Sequence, residues 1–403
     1  MTTPLIRISG ETQADDRFDR FRQISWWDQE RLSRARIVVI GAGALGNELI
    51  KNLALLGIGS LLIVDLDTIE NSNLSRSVLY RASHNGRPKA EVAAAAARAI
   101  YPEICVHFIQ GNVIHDLGLG IFRWADLVLG GLDNREARLA INRACRKVGR
   151  PWIDGAIEQI QGWARFFAAD GPCYECTMSE RDWKILQQRR SCNLLTREQM
   201  EGGKIPTTPT ISSIIAGVQC QEAVKYLHGL PTMAGRGWVF EGVSGDSYGI
   251  EFQQKSDCQS HDPPIEVIPL EARASELTVR ELLNVAREHL GREATLEFFR
   301  DLAEKLVCPA CGEEEPCFDS LSRISASKAL CPACQAAHRE LVTYYRIHGQ
   351  ESFLDRPLVQ IGVPPFEIIL GRSDDRTVGF ELAADSRSVL GELAGNEEDV
   401  RWN

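Results

Sequence analysis

Residues 36–65 hold the pattern that most restricts the fold of this chain. A short apolar run, R-I-V-V-I, enters a glycine-rich turn, G-A-G-A-L-G, at residues 41–46. A helical stretch follows, and a second apolar run ends at Asp65, about 20 residues after the glycines. This succession is typical of a nucleotide-binding α/β sheet, because glycines let backbone N–H groups and a helix N-terminus approach phosphate. Asp65 lies where a carboxylate can bind ribose hydroxyls.

The residues after Asp65 separate this chain from most dinucleotide-binding proteins. The segment E-N-S-N-L-S-R ends at Arg76, and G-R-P-K ends at Lys89, just before an alanine-rich helical stretch. A hydride-transfer site needs no such group of cations, whereas a site that stabilises a triphosphate and its leaving pyrophosphate does. We therefore expect ATP, and an NAD-dependent oxidoreductase is the weakest alternative.

On these residues the chain resembles the ATP-dependent adenylyltransferases of ubiquitin-like proteins, over roughly residues 17–262. That family includes the activating (E1) enzymes of the ubiquitin system and the bacterial ThiF and MoeB proteins of thiamine and molybdopterin synthesis. The resemblance is to a bacterial-type, single-chain E1-like enzyme. It implies adenylation of a small protein's C-terminal tail, with ATP and Mg²⁺ as cofactors.

The resemblance also implies roles for individual residues. Asp65 would hold the ribose, Asn73, Arg76 and Lys89 would contact the triphosphate, and Asp133 in G-G-L-D-N would bind magnesium beside Asn134. Two departures from the family pattern, Ala44 for glycine and Ser77 for glutamine, remove no charge. The full set of predicted cofactor-binding residues is Gly41, Gly43, Ala44, Gly46, Asp65, Asp67, Ser72, Asn73, Arg76, Lys89, Asp133 and Asn134.

An N-terminal arginine reaches into the neighbouring subunit in this family. Arg17 and Arg20 both fit that position, and Arg20 is preferred. Because the chain carries one adenylation domain and a candidate exchanged arginine, we expect a homodimer. The predicted catalytic residues are Arg20, Arg76, Lys89, Asp133 and Cys192.

Strand-like and helix-like runs alternate from residue 36 to about residue 160, which predicts a doubly wound, mostly parallel, Rossmann-like sheet with helices on both faces. The predicted strands are 37–40, 61–64, 104–109, 127–130 and 152–154, and the predicted helices are 45–56, 89–100, 135–148, 210–228 and 278–290. Further strand character occurs at 358–361, 367–370 and 377–382. The polar stretch 182–204 reads as a mobile loop.

These patterns divide the chain into an N-terminal arm (1–35), an adenylation domain (36–262) and a small C-terminal α+β domain (263–403), with a boundary near 257–264. The net charge of -10 argues against nucleic-acid binding, which needs a basic surface. The polar N-terminus lacks the apolar core of a signal peptide, and charged residues interrupt every long apolar stretch. We therefore expect a cytoplasmic protein without a membrane span.

Six of the 12 cysteines fall in three C-x-x-C pairs, which indicates metal binding rather than disulfides. Cys173 and Cys176 have the spacing of a zinc knuckle. The family completes this site with a second C-x-x-C, and here Cys258 and His261 take its place, which predicts a Cys₃His site. The alternative is that His261 is an exposed loop histidine.

The second predicted zinc site is a self-contained four-cysteine ribbon. It pairs C-P-A-C at residues 308–311 with a nearly identical C-P-A-C at residues 331–334, so its ligands would be Cys308, Cys311, Cys331 and Cys334. Cys317 lies between the pairs and could be an alternative ligand. Cys105 and Cys145 fall in apolar runs and are expected in the core.

Cys192, in R-R-S-C-N, is the candidate nucleophile because adjacent arginines would lower the pKa of its thiol. A cysteine in this loop takes the acyl group from AMP, or receives sulfur, in the family. Cys220 is the rival, but its apolar helical setting suggests packing. An incidental surface cysteine at position 192 is the plain alternative.

Taken together, these features predict ATP-dependent activation of a ubiquitin-like protein, followed by thioester formation at Cys192. The C-terminal extension favours this function over sulfur-carrier activation and could dock a conjugating (E2-like) enzyme. The alternatives are a ThiF- or MoeB-like adenylyltransferase of a sulfur carrier, and a non-catalytic scaffold. Asp133, Arg76 and Lys89 argue against the scaffold.

Overall fold

The computed structural model describes residues 16–184, 206–262 and 264–395. Within them, a first sheet of eight strands has the order β3-β2-β1-β4-β5-β6-β7-β8. Its strands are β1 (Arg36–Ile40), β2 (Ser60–Asp65), β3 (Cys105–Gln110), β4 (Leu127–Gly131), β5 (Trp152–Glu158), β6 (Gln161–Phe167), β7 (Arg236–Glu241) and β8 (Asp246–Glu251). The α-helices of this part are α1 (Gln29–Arg34), α2 (Ala44–Leu56), α3 (Lys89–Ile100), α4 (Leu119–Trp124), α5 (Arg135–Lys147), α6 (Tyr174–Thr177) and α7 (Pro209–Leu227).

Both faces of the parallel part of the first sheet are covered, as expected for buried parallel strands. Alternate residues of β1 and β2, such as Val39 and Ile63, pack with α2, α3 and α7. The intervening residues, such as Val38 and Leu62, pack with α4 and α5 in a second core. That second core also contains Phe366 from the C-terminal part of the chain. The predicted arrangement of helices on both faces is confirmed.

A second sheet contains β9 (Glu266–Leu270), β10 (Thr295–Val307), β11 (Glu314–Ser320), β12 (Glu340–Ile347), β13 (Ile368–Arg372) and β14 (Thr377–Leu382). Its order is β11-β10-β13-β14-β9, and β12 pairs with β10. The helix α8 (Val279–Leu290) packs on this sheet in a third core, and α9 (Ser386–Leu390) follows the last strand. Thr278 and Glu281 form a capping box that begins α8. We refer to residues 264–395 as the C-terminal region.

Short 3₁₀ turns complete the described structure, at Phe21–Gln23, Asn71–Arg76, Ala82–His84, Leu321–Arg323, Ala326–Ala329, Leu358–Ile361, Ala383–Asp385 and Gly391–Ala394. Among the residues that the structure describes, no helix has both the length and the apolar character needed to cross a bilayer.

The parallel pairing predicted for residues 36–160 is confirmed for β1–β5, while β6, β7 and β8 run antiparallel to their neighbours and make the whole sheet mixed. Two details of the sequence-based prediction were wrong. Residues 358–361 form a 3₁₀ turn, not a strand, and Leu358 and Ile361, one turn apart, are its buried residues. Residues 180–184 are helical, so the predicted loop does not begin at 182, and its remaining residues, 185–204, lie outside the described part of the chain.

Candidate active site and metal centres

The glycine turn between β1 and α2 is held by close backbone contacts. Gly41 has a φ of +97°, and a Cβ atom there would lie 2.5 Å from the carbonyl oxygen of Gly131 at the end of β4. A Cβ atom on Gly46 would lie 1.8 Å from the carbonyl oxygen of Gly41. At Gly43, the N-cap of α2, a Cβ atom would meet no described heavy atom within 4 Å. The turn is therefore packed on the protein side and open where the helix begins, as phosphate binding requires.

Two polar side chains fix the carbonyl groups of this turn. The Asn47 amide donates to the carbonyl oxygens of Ala42 (2.7 Å) and Gly43 (3.0 Å). The Tyr80 hydroxyl is 2.6 Å from the same Ala42 oxygen and 3.1 Å from the carbonyl oxygen of Lys89. Burial raises the pKa of Tyr80, so its hydroxyl stays protonated and can donate. These bonds fix the carbonyl groups of Ala42 and Gly43 against the protein, and the N–H groups of Gly41 and Ala42 are held by Val64 and Asp65.

Asp65 ends β2 beside this turn and is half-buried. Its carboxylate accepts hydrogen bonds from the backbone N–H groups of Ala42 (2.6 Å) and Asp67 (2.7 Å). Burial raises the pKa of Asp65, and the positive charge of Lys89 opposes that shift. The carboxylate is thus held rigidly, with each oxygen still able to accept a further bond.

Lys89 lies close to Asp65, whereas Asn73 and Arg76 belong to the 3₁₀ turn Asn71–Arg76 that follows β2. The Lys89 ammonium group, only 12% exposed, contacts the Asp67 carboxylate at 2.8 Å. Asn73 is buried and accepts the Glu70 N–H over 3.1 Å in a capping box. Arg76 is half-buried and donates to the carbonyl oxygen of Ser72 over 2.8 Å. Asn73 is therefore engaged in shaping this turn, whereas Lys89 is paired with another predicted site residue.

Asp133 and Asn134 follow β4, at the same carboxyl edge of the sheet. Asp133 is exposed, and Asn134 is the N-cap of α5, accepting the Ala137 N–H over 2.8 Å. Capping of this kind contributes about 1 kcal/mol to helix stability. By capping α5, Asn134 fixes the backbone next to Asp133 at the end of β4.

A buried ionic group beneath Asp133 was missed by the sequence analysis. Arg138 Nε donates to Asp154 over 2.8 Å, and its Nη2 donates to the carbonyl oxygens of Leu132 and Gly155. Arg165 contacts the other oxygen of the same carboxylate. Asp154 is fully buried and has two arginine partners, so removing Asp154, which would leave the buried Arg138 without its ionic partner, would cost about 3–5 kcal/mol. The feature of the sequence that could have revealed this group is Arg138, which lies four residues after the helix-capping Asn134 and is buried on α5.

The ThiF family profile matches residues 16–260, more than half of the chain. The chain belongs to the ThiF family. A 40% identical stretch of 156 residues relates its ThiF domain to the SAMP-activating enzyme E1 of Haloferax volcanii, covering 38% of this chain and 56% of that protein. The mouse adenylyltransferase and sulfurtransferase MOCS3 is 31% identical over 234 residues, or 57% of this chain and 48% of that protein.

A third relative, the sulfur carrier protein adenylyltransferase of Thermus thermophilus, is 37% identical over 170 residues, 40% of this chain and 63% of that protein. The chain thus spans about half the length of the curated relatives it matches. Crystal structures of Escherichia coli MccB share the fold, with a TM-score of 0.51 and 21% identity over 62% of this chain and 76% of that one.

Next to the ThiF domain's sheet, Cys173, Cys176, Cys258 and His261 lie together, with all four ligand atoms within 4.8 Å of one another. The Cys173 sulfur is 3.9 Å from that of Cys176 and 3.6 Å from that of Cys258. Nε2 of His261 is 3.3 Å from the Cys176 sulfur. Zn–S bonds of about 2.3 Å in a tetrahedron place sulfur atoms roughly 3.8 Å apart, so this donor set fits zinc.

The remaining ring nitrogen of His261 lies 3.1 Å from the side-chain amide of Gln254. Metal-binding histidines usually have such a partner, which fixes the ring orientation. The prediction that His261 joins the three cysteines is supported by this geometry, because an unrelated loop histidine would not need to face them.

In the C-terminal region, Cys308, Cys311, Cys331 and Cys334 form the second group, with sulfur atoms again within 4.8 Å of one another. The Cys308 and Cys334 sulfur atoms are 3.5 Å apart, and those of Cys311 and Cys331 are 3.7 Å apart. These spacings also fit tetrahedral zinc. Cys317 is half-buried and lies outside both groups, so it is not among the candidate ligands.

Other predicted residues have simpler settings. Cys145 and Cys220 are buried, as expected, while Cys105 is half-buried. Arg17 stacks on Tyr101, with 4.9 Å from the guanidinium carbon to the ring centre. Arg20 is exposed. Cys192 lies outside the described residues.

Proposed function

We propose that this protein activates a ubiquitin-like protein in two steps. It first adenylates the C-terminal carboxylate of that protein with ATP, and then holds the acyl group as a thioester on Cys192. A conjugating (E2-like) enzyme is the expected acceptor of the thioester. The relative named SAMP-activating enzyme E1 supports the choice of a ubiquitin-like substrate.

The observation that carries the proposal is the carboxyl edge of the first sheet. There the open start of α2, the rigid Asp65 carboxylate, the Lys89 ammonium group and the exposed Asp133 follow successive parallel strands. Ligands of such sheets bind at this edge. A donor turn, a ribose acceptor, a cation and a carboxylate for a metal are the groups that nucleotide activation requires.

In the adenylation step, a carboxylate oxygen of the substrate's tail attacks the α-phosphorus of ATP, and pyrophosphate leaves. The N–H groups at the start of α2 would bind phosphate, Asp65 would hold the ribose, and Lys89 and Arg76 would stabilise the departing pyrophosphate. Mg²⁺ at Asp133 would supply further charge neutralisation. In the second step the Cys192 sulfur attacks the acyl carbon, and AMP leaves with the bonding electrons.

Both cysteine groups are proposed as structural zinc sites. Each offers four ligands with no open position, which is the arrangement of closed zinc sites rather than catalytic ones. The site of Cys173, Cys176, Cys258 and His261 would tie residues 258–261 to the segment after β6. The ribbon site would tie the tip of the β10–β11 hairpin to the start of β12.

A second candidate function is adenylation of a sulfur-carrier protein for thiocarboxylate formation. It is favoured by the relatives named sulfur carrier protein adenylyltransferase and MOCS3. Both candidates share the adenylation step and differ in the fate of the acyl adenylate.

Pyrophosphate exchange into ATP tests the shared step. Exchange should require a ubiquitin-like or sulfur-carrier protein with a free C-terminus, and Asp133→Ala should reduce it by about 10²-fold or more, as expected on losing a group that neutralises transition-state charge. The matched control is Asp246→Ala, which removes an exposed carboxylate on β8. Full exchange in the Asp133 variant would show that this carboxylate does not hold the metal.

A further inference from the structure

Residues 111–117 form a tight loop after β3, directly beside Asp65. The Gly111 N–H donates to the carbonyl oxygen of Asp65 over 3.2 Å. The Asp116 carboxylate accepts the N–H of Asn112 over 2.6 Å and so closes the loop. The 111–117 loop is thus hydrogen-bonded to the residue that is expected to hold the ribose.

Strand order places this loop on the base side of a nucleotide. In the first sheet, β2 lies between β1 and β3. The phosphate-binding turn follows β1 and Asp65 ends β2, so a nucleotide that uses both extends from β1 towards β3. The base would then lie towards the 111–117 loop.

Arg300 of β10, in the C-terminal region, forms hydrogen bonds with this loop. Its guanidinium group donates to the carbonyl oxygens of Ile114 (3.2 Å) and Leu117 (2.9 Å). It also contacts Glu367 at 2.7 Å, and the two side chains are only 11% and 4% exposed. Glu367 in turn accepts the N–H of Leu119, the first residue of α4. The planar guanidinium reaches these acceptors from two separate nitrogens in a fixed plane, whereas an ammonium group would have to reach all of them from a single nitrogen.

A second contact lies nearer the surface. Arg323, from the 3₁₀ turn after β11, pairs with the Asp116 carboxylate that closes the loop, and also with Asp319 at 3.1 Å. Close backbone packing continues at Gly118, where a Cβ atom would lie 2.3 Å from the carbonyl oxygen of Phe366. The loop and its exit are therefore bound on several sides by residues of the C-terminal region.

We propose that the C-terminal region positions the base side of the nucleotide site, through Arg300 and Arg323 acting on the 111–117 loop. This inference rests on the nucleotide site of the proposed function. Both arginines are positioning residues, since they contact the loop and not the reacting groups. Their loss should weaken ATP binding and reduce discrimination between nucleobases, while phosphate and metal contacts remain.

The first test is Arg300→Lys in the full chain. Lysine keeps a positive charge opposite Glu367 but has one donor nitrogen, where Arg300 uses Nη1 for Ile114 and Nη2 for Leu117. Calorimetric titration with Mg·ATP and Mg·GTP should show the Kd for ATP rising on the order of fivefold, the lower end of typical coupling between sites. The Kd for GTP should change less, so the ratio of the GTP Kd to the ATP Kd should fall. The matched control is Arg280→Lys, whose exposed bidentate pair with Asp355 lies within the C-terminal region; both Kd values should stay at wild type.

Arg323→Ala is the second test, because this half-exposed pair can be removed without leaving a fully buried charge. This variant should also lower the ratio of the GTP Kd to the ATP Kd, and Arg323→Lys should keep that ratio at the wild-type value. Unchanged ATP affinity and base discrimination in both Arg300→Lys and Arg323→Ala would overturn the inference. A wild type that binds ATP but exchanges no pyrophosphate would refute the proposed function alone, whereas a wild type that binds no nucleotide would refute both.

Discussion

A cysteine that carries an acyl group must be reachable and must ionise near neutral pH. Among the described residues, Cys220 is buried against α2, and burial raises the pKa of its thiol to about 12. Burial also raises the pKa of Cys145, which lies on the buried face of α5. The eight metal-ligand positions account for seven further cysteines. Cys220 and Cys145 are therefore poor candidates for the acyl-carrying cysteine, which favours Cys192.

Cys192→Ser should leave adenylation intact but replace a thiol-sensitive adduct with a thiol-resistant ester, or with none. The reason is that a serine oxygen forms an ester, which thiols do not cleave as they cleave a thioester. The measurement is a non-reducing gel of enzyme, ATP and cognate ubiquitin-like protein, with and without reductant. Cys220→Ala is the matched control and should keep the adduct. A wild type without any reductant-sensitive adduct would instead favour sulfur-carrier activation.

Among the structural elements, we expect the β10–β11 hairpin to depend most on the proposed zinc ion. Its tip is the first C-P-A-C knuckle, closed by a hydrogen bond from the Cys308 N–H to the carbonyl oxygen of Glu313 (2.8 Å). The second knuckle closes in a similar way, from the Cys331 N–H to the carbonyl oxygen of Ala336 (2.9 Å). Cys311 and Cys334 are exposed, so little apolar packing holds the two knuckles together without an ion.

The purified protein should therefore contain about two zinc ions per chain. Cys334→Ser should lose or weaken only the ribbon ion, and His261→Ala only the ion bound with Cys173, Cys176 and Cys258. Elemental analysis by mass spectrometry measures the zinc content, and Cys317→Ser is the control, because Cys317 lies outside both groups. A wild type with one zinc ion or none would refute at least one site.

Sequence periodicity located the parallel strands and long helices well, since each follows a clear apolar pattern. Strand β8 was missed because it is exposed at all six positions and so has no buried face to produce alternation. The turn at Leu358–Ile361 resembles a strand in composition, but Pro357 precedes it and Gly362 ends it with a φ of +90°. Local composition does not show which of these segments will be buried by the rest of the fold.

The site was predictable only in part for the same reason. Asp65 and Lys89 stand out by their position after a strand and before a helix. Tyr80 and Asn47 act through single hydrogen bonds to backbone carbonyls, and no spacing rule marks such contacts. Arg300 acts over 183 residues of sequence separation from Leu117, so only the folded chain brings it to the nucleotide edge.

The described part of the N-terminal arm, residues 16–35, includes Phe18, which lies at the end of α2 opposite the proposed nucleotide site. Phe18 packs against Gly57, the C-cap of α2, while the open phosphate turn is at the other end of that helix. The 13 residues of α2 span about 20 Å. Arg20 is exposed two residues after Phe18, so it is poorly placed to reach the site of its own chain. This placement supports the proposed homodimer, in which Arg20 would enter the partner's site.

Subunit complementation tests that arrangement. Arg20→Ala and Asp133→Ala should each abolish most pyrophosphate exchange on their own. The two variants can be co-expressed, or they can be mixed in equal amounts and then unfolded and refolded together. In either case half of the resulting dimers should combine one chain of each kind. Each mixed dimer then has one site with both an intact Asp133 and an intact Arg20 from its partner, so about a quarter of wild-type exchange should return. If Arg20 served its own chain, every site would lack one of the two groups and the mixture would stay inactive. Replacing Arg20→Ala by Arg17→Ala provides the control: because Arg17 stacks on Tyr101 of its own chain, that variant alone should retain exchange.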